Sequence, residues 1–212
     1  MSPVNVVEHP VIGSCLRTLR NRDTQVEEFR RAMKKLGLLL AVESTRDLEV
    51  TEGTVVTPLD VEARCSYVND DRVLLVPILR AGLGFVDGFL EVLPGAKVAH
   101  IGVSRDHDTL EAKKYLDSVP TRPGEFDHVF VLDPMLATGN SSVAALEIIA
   151  GKGYPPGRIT LVCAFAVKPG IDQVQKRFPE VKIITAVIDP ELNDKAYIVP
   201  GLGDAGDRLF LL

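Results

Sequence analysis

Short, nearly unbroken apolar runs recur through the middle of the chain, at residues 72–79, 97–103, 128–132, 158–167 and 181–188. They are rich in Val, Ile and Leu, which predicts strands covered on both faces, as in a parallel sheet. Helical spacing separates most of them, over residues 84–93, 141–152 and 171–178. That alternation predicts an α/β fold, a doubly wound and mainly parallel sheet flanked by helices. The first third differs. Residues 11–19 read as one helix, and a second starts near Asp23 or Thr24, either of which can cap it, and continues through Glu27, Phe29, Met33, Leu36 and Leu40. Alternating character at Val55, Thr57, Val61, Ala63, Cys65 and Tyr67 then predicts a β-ribbon.

One stretch breaks the pattern. Residues 103–127 are polar and charged, contain Pro120 and Pro123, and show no packed helix. A segment that long without its own core suggests a lid. The turn-rich tail, residues 189–212, suggests a small cap over the sheet. The expected organisation is one domain over residues 1–212. Helices and ribbon extend to about residue 70, and a core over about 71–188 carries an arm near 104–120. A hood follows over about 189–212.

Open α/β sheets bind ligands at the carboxyl ends of their strands, so the loops after Pro77, Val103, Leu132 and Val167 carry the candidate chemistry. The most informative begins at Asp133, where an apolar strand ends, and runs Pro134, Met135, Leu136, Ala137, Thr138, Gly139, Asn140, Ser141 into a predicted helix. Backbone amides of such a loop, with the positive end of the helix, suit a phosphate dianion. Thr138 and Ser141 add hydroxyl donors, and Asp133 can accept from two ribose hydroxyls. The Gly/Ser part alone equally describes a plain strand–turn–helix corner capped by Ser141. A second loop carries Arg80 into Ala81, Gly82, Leu83 and Gly84, where small residues let amides approach an anion. A lone Arg beside a Gly turn is common, and the bare pattern is weak. The lid begins with Ser104, Arg105 and Asp106 and continues Thr109 to Tyr115; its mixed charges also fit a solvated hairpin.

The segment from Asp133 resembles the phosphoribosyl pyrophosphate (PRPP) motif of type I phosphoribosyltransferases, and Asp-Pro-Met-Leu-Ala-Thr-Gly is the form of the uracil-specific branch. Three further segments resemble that branch in order. They are the Arg80 loop, with Phe85 where Met is usual, the arm with Arg105, with Ala112 where Pro is usual, and residues 197–205, Tyr-Ile-Val-Pro-Gly-Leu-Gly-Asp-Ala. The resemblance covers nearly the whole chain and implies transfer of the phosphoribosyl group from PRPP to uracil, giving UMP and pyrophosphate in pyrimidine salvage.

The resemblance further implies PRPP contacts by Arg80, Arg105, Asp204 and residues 133–141, and catalytic roles for Arg105 and Asp204. Uracil is expected at Ile198, Gly203, Asp204 and Ala205. Mg²⁺ is expected mainly through PRPP, with GTP as a possible effector and a homo-oligomer, dimer or higher, as the assembly. Asn140 stands where the family has a second glycine and, as the non-glycine residue best suited to left-handed backbone, is expected to preserve the loop. Ala196 and Leu211 also replace usual glycines. A phosphoribosyltransferase for another base, or a nucleotide- or RNA-binding regulator on the same fold, remain the alternatives.

Composition narrows these. Lys plus Arg number 24 against 29 Asp plus Glu, a net charge of −5, which does not favour a nucleic-acid partner. Cys15, Cys65 and Cys163 lie far apart, as reduced thiols of a cytoplasmic protein do. Residues 1–10 show no secretory pattern, and the apolar run at 36–42 is too short to span a bilayer, so no membrane partner is expected. Gly201 to Gly206 spells G-x-G-x-x-G, but no βαβ unit follows it, which argues against dinucleotide binding. His9, His100, His107 and His128 show no metal-ligand spacing.

Overall fold

The computed structural model describes the backbone of residues 4–105 and 112–211, with side chains except at 104, 105, 112 and 113. The chain opens with a short strand β1 (Val4–Val6) and helices α1 (Pro10–Arg20) and α2 (Val26–Ser44). The ribbon follows as β2 (Val50–Val56) and β3 (Glu62–Val68). The core comprises β4 (Val73–Leu79), α3 (Leu83–Val92), β5 (Lys97–Val98), β6 (Ile101–Arg105), β7 (Ala112–Asp117), β8 (His128–Leu132) and β9 (Met135–Leu136). It continues with α4 (Asn140–Gly151), β10 (Ile159–Val167), α5 (Lys168–Arg177) and β11 (Lys182–Asp189). The hood is β12 (Glu191–Leu192), β13 (Ile198–Val199) and α6 (Ala205–Phe210).

The main sheet runs β1-β11-β10-β8-β4-β6-β7, with β5 also beside β4 and β9 also beside β10. All these pairings are parallel except β6 with β7. From β4 the chain crosses through α3 to β6 on one side, then returns to β8 on the other. Strand order therefore reverses between β4 and β8, the place where a doubly wound sheet opens a crevice at its carboxyl edge.

Alternate residues of β8 serve opposite faces. Phe130 and Leu132 join a cluster with Phe29, Met33, Leu36, Phe85 and Phe89 from α2 and α3. Val129 and Val131 join the cluster holding Leu146 and Ile149 of α4 with Val174 of α5. Strands buried this way read as unbroken apolar runs because each face meets a helix layer.

Several expectations need correction. Neither Asp23 nor Thr24 caps α2; Gln25 occupies that position without a side-chain capping bond. The Thr24 hydroxyl instead donates to the Thr18 carbonyl at 2.7 Å, tying the loop to α1. The run 97–103 divides into β5 and β6, which lie in line beside β4. The polar stretch holds β7, which pairs antiparallel with β6 as an arm. Its residues 106–111, including Asp106, Thr109, Leu110 and Glu111 of the expected lid, lie outside the described residues. Strand β1 was not foreseen, being only three residues long. The tail also forms a short helix, α6.

The hood is held by arginines, among them Arg30 of α2, which donates to the Leu209 carbonyl at 2.7 Å. Arg20 forks onto the buried Asp189 at 2.9 and 2.6 Å, and Asp189 also accepts from the Gly201 amide at 2.9 Å. Arg208 lies over the Phe29 ring at 4.2 Å and donates to the carbonyls of Leu19, Leu202 and Asn21. Between β12 and β13, Asn193 Oδ1 accepts from the amides of Lys195 and Tyr197, both at 3.0 Å, closing a turn that puts Ala196 at φ 59°. A Cβ in that region is strained. Ala196→Gly is expected to stabilise the protein by about 0.5–1 kcal/mol, as relief of the clash outweighs glycine's added freedom. Urea unfolding at neutral pH measures this, and an equal loss of stability would contradict it.

Candidate active site

The Asp133 loop is built by interrupting a strand. β8 and β9 lie along the same side of β10, and Asp133 and Pro134 fall between them. The Pro134 carbonyl accepts from two successive β10 amides, Ala164 at 3.0 Å and Phe165 at 2.9 Å. The register nevertheless resumes unshifted, Leu132 opposite Val162 and Met135 opposite Phe165, so the ladder is broken locally with no inserted residue, an interruption that a proline within a strand run marks. The Asp133 amide remains tied to the Val162 carbonyl at 3.1 Å, so the side chain leaves from a fixed backbone.

The chain then turns at Gly139, which has φ 87° and forms the N-cap of α4. A Cβ there would come within 2.9 Å of the Gly170 carbonyl in α5. Glycine's freedom is therefore used at 139, not at 140. Asn140 is the first residue of α4, and its Oδ1 accepts from Gln173 of α5 at 2.7 Å. The expectation of a left-handed Asn140 is corrected: the glycine before it already makes the turn. Asp133, Met135, Ala137, Thr138, Gly139, Asn140, Ser141 and Ser142 line a depression of about 60 Å³.

Asp133 is buried, and burial pushes its carboxyl up to about 6, opposed by the Ser142 hydroxyl and the Met135 amide. Ser142 Oγ donates to Asp133 Oδ2 at 2.7 Å. Reading the loop as residues 133–141 misses this serine. A signal was present: Ser142, Ala145, Leu146 and Ile149 share the buried face of α4, and a hydroxyl on such a stripe must find a partner.

The Arg80 loop sits against the end of β8. A Cβ on Gly82 would lie 2.4 Å from the Leu132 carbonyl, so only glycine permits this approach next to Asp133. The Leu79–Arg80 peptide is cis. Arg80 reaches the hood, with its guanidinium 3.7 Å from Asp207 of α6. Asp204 caps the same helix, accepting from the Asp207 amide at 2.9 Å. Gly203 and Asp204 are exposed, whereas the side chains of Ile198 and Ala205 are buried. Arg105 ends β6, the strand beside β4, and its side chain lies outside the described residues.

A larger cavity, about 710 Å³, opens at the opposite edge, between the ribbon and the amino ends of β4, β8, β10 and β11. Two of its charged pairs are matched within the protein, Arg72 with Asp127 at 2.6 Å and Lys182 with Asp47 at 2.5 Å. The carboxyl edge, with its strand-end carboxylate, glycine turns and helix start, is the better candidate despite its smaller depression. Among the described residues, no group of three or more His, Cys, Asp or Glu side chains is arranged to hold a metal.

A family model described as uracil phosphoribosyltransferase matches residues 6–211. The uracil phosphoribosyltransferase of Thermosipho melanesiensis is 48% identical over 207 residues, 98% of each chain. That of Symbiobacterium thermophilum is 48% identical over 210 residues, 99% of each. A solved structure of a protein from Aquifex aeolicus is similar at a TM-score of 0.92 and 38% identity, covering 99% of both chains. A hypoxanthine-guanine phosphoribosyltransferase from Bacillus anthracis shares the fold at a TM-score of 0.50 and 12% identity, over 77% of this chain and 80% of that one.

The Asp133 environment predicts a measurable tension with stability. Its folded value, about 6, lies above the ordinary 3.8, so the folded state binds the extra proton between these limits. Stability is therefore lost as pH rises from about 4 to about 6. Asp133→Asn removes the buried charge and is expected to be more stable than the wild type by about 1–3 kcal/mol at pH 8, with the difference shrinking towards pH 4. Urea titrations at both pH values test this; a difference independent of pH would contradict it.

Proposed function

From the uracil phosphoribosyltransferase family, to which this chain belongs, we propose how its residues divide the transfer of the 5-phosphoribosyl group from PRPP to uracil. The products are UMP and pyrophosphate. One observation carries the assignment: the strand-end Asp133 loop and the Arg80 turn meet at the carboxyl edge of the sheet, where strand order reverses. In this reading residues 1–212 work as one domain.

The reaction breaks the bond between ribose C1 and oxygen, leaving a ring with oxocarbenium character and a highly charged leaving group. The 5-phosphate is assigned to the amides of residues 137–141 and the hydroxyls of Thr138 and Ser141, at the start of α4. The ribose hydroxyls are assigned to the Asp133 carboxylate. Arg80 and Arg105 are assigned to the pyrophosphate, where fixed charge stabilises the transition state more than the ground state. Arg80 lies beside Asp207, and a partly exposed contact of 3.7 Å leaves it able to turn to an anion. Asp204 is the assigned group beside the base.

Mg²⁺ is proposed as the cation that neutralises the pyrophosphate as it leaves. The resemblance has this cation carried mainly by the oxygens of PRPP, the ligand type that Mg²⁺ prefers.

Uracil is assigned to the hood. The side chains of Ile198 and Ala205 are buried, so these residues can meet a base only through backbone groups. A backbone N–H donates to a uracil carbonyl and a backbone C=O accepts from N3–H. Cytosine offers an amino group and an unprotonated nitrogen at the corresponding positions, and fixed amides cannot exchange these roles.

Finer features rest on the family resemblance and on supporting observations. A homo-oligomer, dimer or higher, is supported by the ribbon, which exposes Val50, Val55, Val56 and Tyr67 by 52% or more although two strands alone are marginal. A GTP effector is proposed on the resemblance alone. A cytoplasmic location is supported by three free cysteines and no disulfide among the described residues. No helix among the described residues is long and apolar enough to cross a membrane.

Two measurements test the assignment. UMP formation with saturating PRPP and Mg²⁺ is expected to favour uracil over cytosine by about 10⁴ or more in kcat/KM. Values within tenfold would overturn the backbone reading of the base. Asp133→Asn and Arg105→Ala are each expected to lower kcat/KM by about 30- to 1,000-fold, about 2–4 kcal/mol of transition-state stabilisation, with the fold retained. Near wild-type rates for both would remove the proposed PRPP site.

A further inference from the structure

Ser142 is a polar residue on an apolar stripe. It is 1% exposed, beside Ala145, Leu146 and Ile149 on the buried face of α4. An apolar side chain would satisfy the packing equally well, so the hydroxyl has a different use. Its Oγ donates to Asp133 Oδ2 at 2.7 Å, the length of a strong charge-assisted bond.

We propose that Ser142 is a positioning residue for phosphoribosyl transfer: its hydroxyl fixes the rotation of the Asp133 carboxylate and holds it ionised, ready to accept the ribose hydroxyls. This rests on the assignment of Asp133 to the ribose.

A carboxylate offers about four lone-pair sites. Ser142 occupies one and the Met135 amide another, which leaves two for a pair of ribose hydroxyls. A protonated Asp133 would present a donor in place of one acceptor and bind that pair poorly.

The surroundings make the serine necessary. From α4 comes the Ser142 hydroxyl, and from the β9 strand the Met135 amide. From β10 comes Cys163, whose thiol is pushed well above its ordinary value by burial and by the Asp133 charge, so it stays neutral. Among the described residues no cation forms an ion pair with Asp133. Burial alone pushes the carboxyl towards its neutral form, and two hydrogen-bond donors, one of them a replaceable side chain, oppose it.

The test compares wild type, Ser142→Ala and Asp133→Asn by kcat/KM for PRPP against pH, with uracil and Mg²⁺ saturating. The carboxyl titration of Asp133 is followed in parallel by ¹³C NMR and identified by its absence from Asp133→Asn. Ser142→Ala is expected to move both the acid limb and the titration up by about one pH unit. The loss is then about five- to tenfold at pH 6 and below and less than about threefold at pH 8.5. An unmoved limb and titration, or a loss uniform with pH, would overturn the role of Ser142, provided Asp133→Asn is severely impaired. Near wild-type kcat/KM in Asp133→Asn would instead overturn the ribose assignment, and the proposal with it.

Discussion

Parallel alignment of β1, β11, β10, β8, β4 and β6 is the constraint on which the candidate site depends. When neighbouring strands run in one direction, every loop that follows a strand emerges at the same edge. The Arg80 turn after β4 and the Asp133 loop after β8 are 53 positions apart in sequence (133 − 80) yet lie side by side. Gly82 closes the remaining gap, since its lack of a side chain lets the turn rest on the last carbonyl of β8. Reversal of strand order between β4 and β8 keeps helices from covering that point.

The hood needs a different solution, because α6 is too short to hold itself in place. Arg20 and Asp189 supply it. Asp189 ends β11 and is 96% buried as a side chain, while Arg20 comes from the last turn of α1 and lies over Phe165 of β10. One guanidinium fork thus joins the N-terminal helix, the sheet and the turn at Gly201. Arg208 makes the reciprocal connection from α6 to the carbonyls that end α1. A bidentate fork fixes orientation as well as distance, as a hood carrying backbone recognition groups requires.

Asp133 shows what a functional edge demands of a stable core. A break in the ladder beside β10 turns the carboxylate out of the strand, but not out of the protein, and burial then works against its charge. The three departures from the family's usual glycines separate along similar lines. Ala196 and Leu211 both take positive φ, at 59° and 58°, so each carries strain that glycine would not. Asn140 sits in the first turn of a helix and carries none.

The sequence by itself determined the layer architecture, the strand and helix alternation and the order of the motifs. Those rest on local periodicity: a strand buried on both faces is apolar at nearly every position, as residues 159–167 and 128–132 are apart from Thr160 and His128. It also marked Asp133, Arg80 and the tail as the chemistry-bearing segments, through their place at strand ends and their likeness to a known family. Only tertiary structure decided what those residues touch. Thr24 has the composition of a helix cap, but a carbonyl in the preceding helix takes its hydroxyl. Ser142 looks like one more small residue in a loop-to-helix junction until the ladder break at Asp133 and Pro134 brings the carboxylate within reach of it. Asp189, Arg20 and Arg208 carry no local signal of their partners, because the groups they bind lie 6 to 189 positions away and meet only when the sheet has formed. Periodicity reports which face of an element is buried, and pairing across elements depends on packing that no single segment contains.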